Sequence, residues 1–228
     1  MSHASPEMHA YYAARAPYYD AVYLKPERAA DIAFLAQHLP DRLRGCDVLE
    51  VACGTGYWTQ HIASTAAKLV ATDGTAEPLE FARLRPGTEN VDFQQADAYT
   101  LPAELGMFNA AFAGLWFSHV PCEARIQFMK SLHARLLPGA RVLLIDNGIV
   151  QQKDFPIAET DADGNTYQLR QLRDGSIHRV LKNFPTEDEM QLLLTPYAKR
   201  FAYQQLDNFW LCEYELREPQ LYDDSFRR

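Results

Sequence analysis

Five short apolar runs recur through the middle of the chain: Val48–Val51, Leu69–Ala71, Val91–Phe93, Ala110–Ala113 and Val142–Ile145. Each is bounded by charged or turn residues and separated from the next by a helix-length interval, which predicts strands buried on both faces. The clearest interval runs from Cys122 to Leu137, with Ile126, Met129, Leu132 and Leu136 on one stripe and Pro138-Gly139 at its end, and predicts an amphipathic helix. Parallel neighbours need crossovers, so strands alternating with helices predict an α/β, doubly wound, mostly parallel sheet.

Outside that rhythm the pattern changes. Residues 8–39 read as helical, broken at Pro17 and restarted near Pro26, and carry Tyr11, Tyr12, Tyr18, Tyr19 and Tyr23. After Asp146 the chain becomes polar and β-like, with Tyr167–Leu172 and Ile177–Leu181 flanking Asp174-Gly175, a hairpin signal. Thr186-Glu187-Asp188-Glu189 is a capping-box pattern opening a helix through Leu194. Phe201–Leu206 and Phe209–Leu216 predict a terminal antiparallel pair. With no repeat, low-complexity tract or linker, the expectation is a single domain over 1–228. It divides into an N-terminal helical segment (1–39), a ligand-binding core (46–146), an insertion with a hairpin (147–185), and a terminal helix with antiparallel strands (186–216).

Composition narrows the setting. The 228 residues are 47% hydrophobic, ample for a buried core. A net charge of -8 argues against a partner as anionic as nucleic acid, which needs clustered Lys and Arg. Cys46, Cys53, Cys122 and Cys212 have no paired spacing, so they predict neither a zinc site nor a disulfide framework. No basic-then-apolar leader opens the chain, and no apolar run approaches the ~20 residues of a membrane span. The expectation is a cytoplasmic protein, monomer or homodimer, that acts on a small molecule and partners neither nucleic acid nor membrane.

The chemistry begins at Val48-Leu49-Glu50-Val51-Ala52-Cys53-Gly54-Thr55-Gly56, an apolar strand ending in a glycine-punctuated turn. Glycines permit a sharp turn and a close-lying ligand, and the next helix offers unpaired N–H groups. Thr59 stands where a dinucleotide fingerprint has its third glycine, and no Lys-Ser/Thr pair follows as in a phosphate-cradling loop. Glu50 would repel a pyrophosphate, so a zwitterionic or cationic ligand fits better. Asp73 closes the second strand where it could accept from both ribose hydroxyls, and Asp97 closes the third where it could accept from an adenine amine. Acids at strand ends are common singly; in order, along one sheet edge, they are specific.

These segments, with Gln95-Ala96-Asp97-Ala98, Phe108-Asn109-Ala110-Ala111-Phe112-Ala113 and Leu136-Leu137-Pro138-Gly139-Ala140-Arg141-Val142-Leu143-Leu144, resemble the class I S-adenosylmethionine-dependent methyltransferases. The likeness is to the small-molecule branch around the ubiquinone and menaquinone enzymes. It covers roughly residues 10 to 146 and extends to Tyr12-Ala13-Ala14-Arg15-Ala16-Pro17-Tyr18-Tyr19-Asp20. It implies a seven-stranded Rossmann-like sheet and S-adenosyl-L-methionine as cofactor, with S-adenosyl-L-homocysteine as product. The Gly54–Gly56 turn, with Ala52 where glycine is frequent, would lie along the amino-acid portion, near Glu50. Asp73 and Gly74 would meet the ribose, Asp97 and Ala98 the adenine, with Tyr19 and Leu115 completing the cofactor contacts.

Acceptor candidates follow the fourth strand, at Gly114-Leu115-Trp116-Phe117-Ser118-His119. His119 is a candidate general base, since its unperturbed pKa lies near neutrality, or a packing histidine. Trp116 and Phe117 could wall an aromatic or heterocyclic acceptor. Tyr11 and Tyr12 could belong to a lid or to a docked aromatic face, and Arg170 could contact substrate. Asp146-Asn147 resembles the metal-binding pair of the catechol O-methyltransferases, but the carboxylate such a site needs after the fourth strand is missing, so no metal is expected and Asp146 is assigned to the acceptor pocket or to capping. The reaction expected is in-line O- or N-methylation. The alternatives are a nicotinamide-dependent oxidoreductase on the same fold, which should carry the third glycine, and a non-catalytic S-adenosylmethionine-binding module.

Overall fold

The computed structural model describes residues 6–217. Helix α1 (Pro6–Arg15) runs into a 3-10 segment, Ala16–Val22, where Pro17 removes a donor from the ladder, and α2 (Ala29–Leu43) follows a short turn at Pro26–Arg28. The core then alternates: β1 (Asp47–Val51), α3 (Thr59–Ala63), β2 (Lys68–Asp73), α4 (Ala76–Arg83), β3 (Asp92–Gln95), β4 (Phe108–Gly114), α5 (Arg125–His133) and β5 (Leu136–Asn147). After β5 come β6 (Glu159–Thr160), β7 (Thr166–Gln171) and β8 (Ile177–Leu181), then α6 (Glu187–Leu194), β9 (Ala198–Gln205) and β10 (Phe209–Leu216).

Seven strands form one sheet in the order β3-β2-β1-β4-β5-β10-β9, and β6-β7-β8 form a separate three-stranded sheet. Strands β1 to β5 are parallel, while β10 is antiparallel to both β5 and β9. The side-chain period of two sends Leu49 and Val51 to one apolar layer and Val48 to the other. Both faces are covered, which explains the near-continuous apolar runs. The strand order reverses between β1 and β4, and a crevice opens beyond their carboxyl ends.

The interval before β5 departs from expectation. Instead of one helix from Cys122 to Leu137, a 3-10 turn (Cys122–Ala124) leads into α5, and Leu136 already pairs with Phe108 as part of β5. Phe128, Met129 and Leu132 make the buried face, whereas Ile126 points outward. The strand pairing claims Leu136, and Pro138-Gly139 lies in an irregular part of β5, between Leu136 and Arg141, rather than at a helix end. The capping box at Thr186 is present in full.

Candidate active site

Beyond β1 the backbone passes through the left-handed region at Ala52 (φ 56°), Gly54 (57°) and Gly56 (76°). The N–H of Gly54 donates to Asp73 Oδ2 at 3.0 Å, and that of Cys53 to the Thr72 carbonyl at 2.9 Å, tying the turn to the end of β2. A Cβ on Gly54 would meet open space, so its glycine serves the backbone. On Gly56 it would lie 3.0 Å from the Ala82 Cβ and 3.1 Å from its Cα, so that glycine lets α4 approach the turn.

A cavity of about 280 Å³ opens beside this turn. Glu50, Ala52 and Gly54 line it from β1 and its turn, Asp73 and Gly74 from β2, Asp97 and Ala98 from beyond β3, and Leu115 and Trp116 from beyond β4, with Tyr12 and Tyr19 over it. Glu50 is 1% exposed and its Oε2 has no hydrogen-bond partner. Burial pushes its carboxyl up to about 8, Thr59 beside it working the other way. Asp73 Oδ1 accepts from the Thr75 N–H and hydroxyl (3.0 and 3.1 Å), and Asp97 Oδ1 from the Tyr99 N–H (2.9 Å). Both carboxylates are thus fixed by the turn they open, as Asp side chains do at Asx turns. Leu115 holds φ 56° while its N–H donates to the Ile145 carbonyl at 2.8 Å, a strained conformation at the cavity wall.

A second cavity, about 140 Å³, shares Tyr12, Tyr19, Leu115 and His119 with the first. Its other walls include Arg15, Lys25 and Arg28 from the N-terminal segments, Asn147 and Gln151 from the end of β5 and beyond, Arg170 from β7 and Lys182 after β8. His119 is buried, with Nδ1 2.6 Å from the Leu181 carbonyl. A carbonyl can only accept, so Nδ1 carries the proton and Nε2 accepts from the Tyr12 hydroxyl at 2.8 Å. Burial, and then the Lys182 ammonium, hold the imidazole well below its usual range, while Asp146 opposes them. Lys182 Nζ donates to Ser118 Oγ (2.6 Å) and Asp146 Oδ1 (2.9 Å), and burial lowers its pKa to about 8.

Four sequence-predicted site residues lie outside both cavities. Gly56 faces α4, as above. Phe117 is fully buried against Phe128 and Trp210, because the 3-10 turn at Phe117–His119 rotates it into the core. Tyr11 packs on Leu172 and Val180, just after β7 and in β8, and lines neither cavity. Asp146 is fully buried, committed to Lys182, to Ser118 and to the Asn147 N–H at 2.7 Å. An ammonium occupies the place a metal would need there. Sequence reasoning missed Arg15, Lys25, Arg28 and Lys182, and in the first cavity Tyr23, Trp58 and Tyr99. No spacing rule could have found them, since four separate chain segments supply the basic wall.

Parallel strands ending in acidic residues around one cavity at the strand-order reversal define a nucleoside-binding α/β protein. The family described as "Methyltransferase domain" matches residues 48–139. Demethylmenaquinone methyltransferase of Lactococcus lactis is 30% identical over 110 residues, 46% of this chain and 43% of that protein. Ubiquinone biosynthesis O-methyltransferase of Azotobacter vinelandii is 32% identical over 115 residues, 49% of this chain and 47% of its own. These matches span less than half the length of those relatives. The likeness to DhpI, solved as its SAH complex, is longer: 30% identity over 96% of this chain and 100% of that one, with a TM-score of 0.77. DhpI has also been solved with SAM and HEP, at a TM-score of 0.76. The chain belongs to the S-adenosylmethionine-dependent methyltransferase family.

Proposed function

We propose that this protein transfers a methyl group from S-adenosylmethionine to a small-molecule acceptor, as a cytoplasmic monomer or homodimer. The observation that carries the reading is Glu50: a buried carboxylate with an unpartnered oxygen, facing a cavity beside a left-handed turn. An orphaned carboxylate is costly unless a cationic donor reaches it, and the ammonium of an amino-acid tail is such a donor. S-adenosylmethionine, when bound, supplies an activated methyl group on a sulfonium. In this reading Glu50 accepts from the ammonium, Asp73 from the ribose hydroxyls and Asp97, with the Ala98 backbone, from the adenine. Tyr12, Tyr19 and Leu115 stand between the two cavities and hold cofactor and acceptor in one line, and positioning of that kind can supply several kcal/mol (about 7–11 at best) of the acceleration. Tyr12, bound to His119, keeps its proton on the phenol, since burial raises its pKa further.

The test is a calorimetric titration with S-adenosylmethionine, S-adenosylhomocysteine and NAD. The first two should bind and NAD should not; NAD binding alone would transfer the reading to an oxidoreductase. Transfer of label from methyl-labelled cofactor across a panel of acceptors separates an enzyme from a binding module.

A further inference from the structure

The second cavity gathers five cations, Arg15, Lys25, Arg28, Arg170 and Lys182, in a chain whose net charge is -8. Three carboxylates answer them. Glu27 lies 3.8 Å from Lys25. Asp154 takes Lys25 at 2.6 Å and stands 3.9 Å from Arg28; Asp146 takes Lys182. The remaining guanidiniums have neutral partners. Arg170, 4% exposed, donates from Nε and Nη2 to Gln168 Oε1 (3.2 and 2.7 Å) and lies 3.4 Å from the Tyr12 hydroxyl. Arg15 donates to the Tyr11 hydroxyl at 2.8 Å and lies over the Tyr19 ring. Among the described residues no carboxylate comes within 4.0 Å of either. Arg28, also 4% exposed, has a buried Nε with no partner.

Holding a desolvated guanidinium without a counter-anion is unfavourable, and two segments distant in sequence, α1 with Arg15 and β7 with Arg170, converge to do so here beside Arg28. A fold that keeps such an excess around a cavity opening onto the cofactor site is built for an anion that arrives from solution. Guanidinium forks suit an oxyanion with two or more acceptor oxygens.

We propose that the methyl acceptor is an anion, its compact oxyanion head seated among Arg15, Arg28 and Arg170, with the reacting part at the Tyr12–His119 junction of the two cavities. The reaction itself rests on the methyltransferase reading above; binding of the anion does not. An oxygen of the ionised head that reaches this junction carries no proton and needs no base, which agrees with a His119 whose lone pair is occupied by the Tyr12 hydroxyl and whose surroundings are cationic.

Protein saturated with S-adenosylhomocysteine is titrated with inorganic phosphate, sulfate and acetate. At least one should bind, and R170Q should weaken that binding by about tenfold or more, the loss of a charge-assisted pair. Its affinity for S-adenosylhomocysteine should stay within about twofold, since Arg170 lines only the second cavity. R15Q, at a half-buried position, repeats the measurement should R170Q fail to fold. Absence of binding, binding that neither variant alters, or mutual exclusion of the anion and S-adenosylhomocysteine would overturn the proposal; exclusion would assign the cations to the cofactor's own carboxylate. A second arm offers labelled cofactor with an organic phosphate, a carboxylic acid and a neutral phenol. Transfer to an anionic acceptor, with phosphate or acetate competing against it, supports the proposal and distinguishes tetrahedral from planar heads; transfer to the phenol alone overturns it. If S-adenosylhomocysteine does not bind at all while phosphate does, the methyltransferase reading fails and the anion site stands.

Discussion

Glu50 sits where an apolar strand should have an apolar residue, and it bears the cost. The folded protein keeps a proton on it up to about pH 8, whereas the unfolded chain releases that proton near the ordinary carboxylate value. More protons are therefore bound in the folded state through that window, so the stability of the ligand-free protein falls as pH rises from about 4.5 to 8 and levels above it. Cofactor binding should run the other way: affinity for S-adenosylhomocysteine is expected to rise from pH 6 to 8, with proton release that calorimetry in buffers of differing ionisation heat can count. Glu50→Gln should stabilise the ligand-free protein at pH 8 by about 1–3 kcal/mol while weakening S-adenosylhomocysteine binding about tenfold or more. A pH-independent affinity would count against Glu50 as the ammonium partner. For His119, burial first and the Lys182 ammonium next hold the imidazole well below its usual range. Turnover should show no step near pH 6.5, and Tyr12→Phe, which removes the hydroxyl held by Nε2, should lower kcat/KM by about tenfold. A rate step near pH 6.5 that His119→Ala abolishes would restore the role of general base.

Among the secondary-structure elements, the small sheet and the loop after β4 act as one unit. Asn183 donates its N–H to the Ser118 carbonyl at 2.8 Å, His119 holds the Leu181 carbonyl, and Lys182 bridges Ser118 and Asp146. The acid closing β5 thereby pins an insertion some 36 residues later, at a pair 1% and 0% exposed. Asp146→Asn should cost about 3–5 kcal/mol in denaturant unfolding, because a buried lysine loses its counter-charge, and pairing it with Lys182→Met should recover most of that loss. Gly56→Ala tests the contact with α4. With φ at 76° and the Ala82 Cα 3.1 Å from the added Cβ, it should destabilise by roughly 1–3 kcal/mol.

The site exists only at the scale of the whole molecule. Residues 8–23 are fastened across the crevice: Asp20 pairs with Arg85 and accepts from Thr55 Oγ1 at 2.7 Å, Arg85 Nε donates to the Thr55 carbonyl at 2.9 Å, and Tyr23 stacks on Tyr57 at 3.7 Å. On the other side Met8 meets Leu181, and Tyr11 meets Leu172 and Val180. The N-terminal segment, held by the core on one side and by the small sheet on the other, thus roofs the first cavity. Asp20→Ala should loosen the first fastening by about 1 kcal/mol, which stopped-flow displacement should read as an approximately fivefold faster release of S-adenosylhomocysteine. An unchanged release rate would mean that the segment does not gate the cavity.

The sequence determined what depends on neighbours along the chain. Apolar runs and their spacing set the parallel core, the capping box at Thr186 set α6, and the strand-end acids Glu50, Asp73 and Asp97 marked one sheet edge, because parallel strands bring their carboxyl ends together. Ile177–Leu181 emerged as written, since its bounding turn residues act locally. Where several structures compete for one residue, only the tertiary structure decided. Leu136 satisfies a helical stripe yet pairs in β5, and Phe117 satisfies a substrate wall yet turns into the core. The basic cavity lies beyond any sequence pattern for the same reason: Arg15, Arg28, Arg170 and Lys182 become neighbours only when α1, the turn before α2 and the small sheet close over β4. Single charges carry no periodicity that would foretell the meeting.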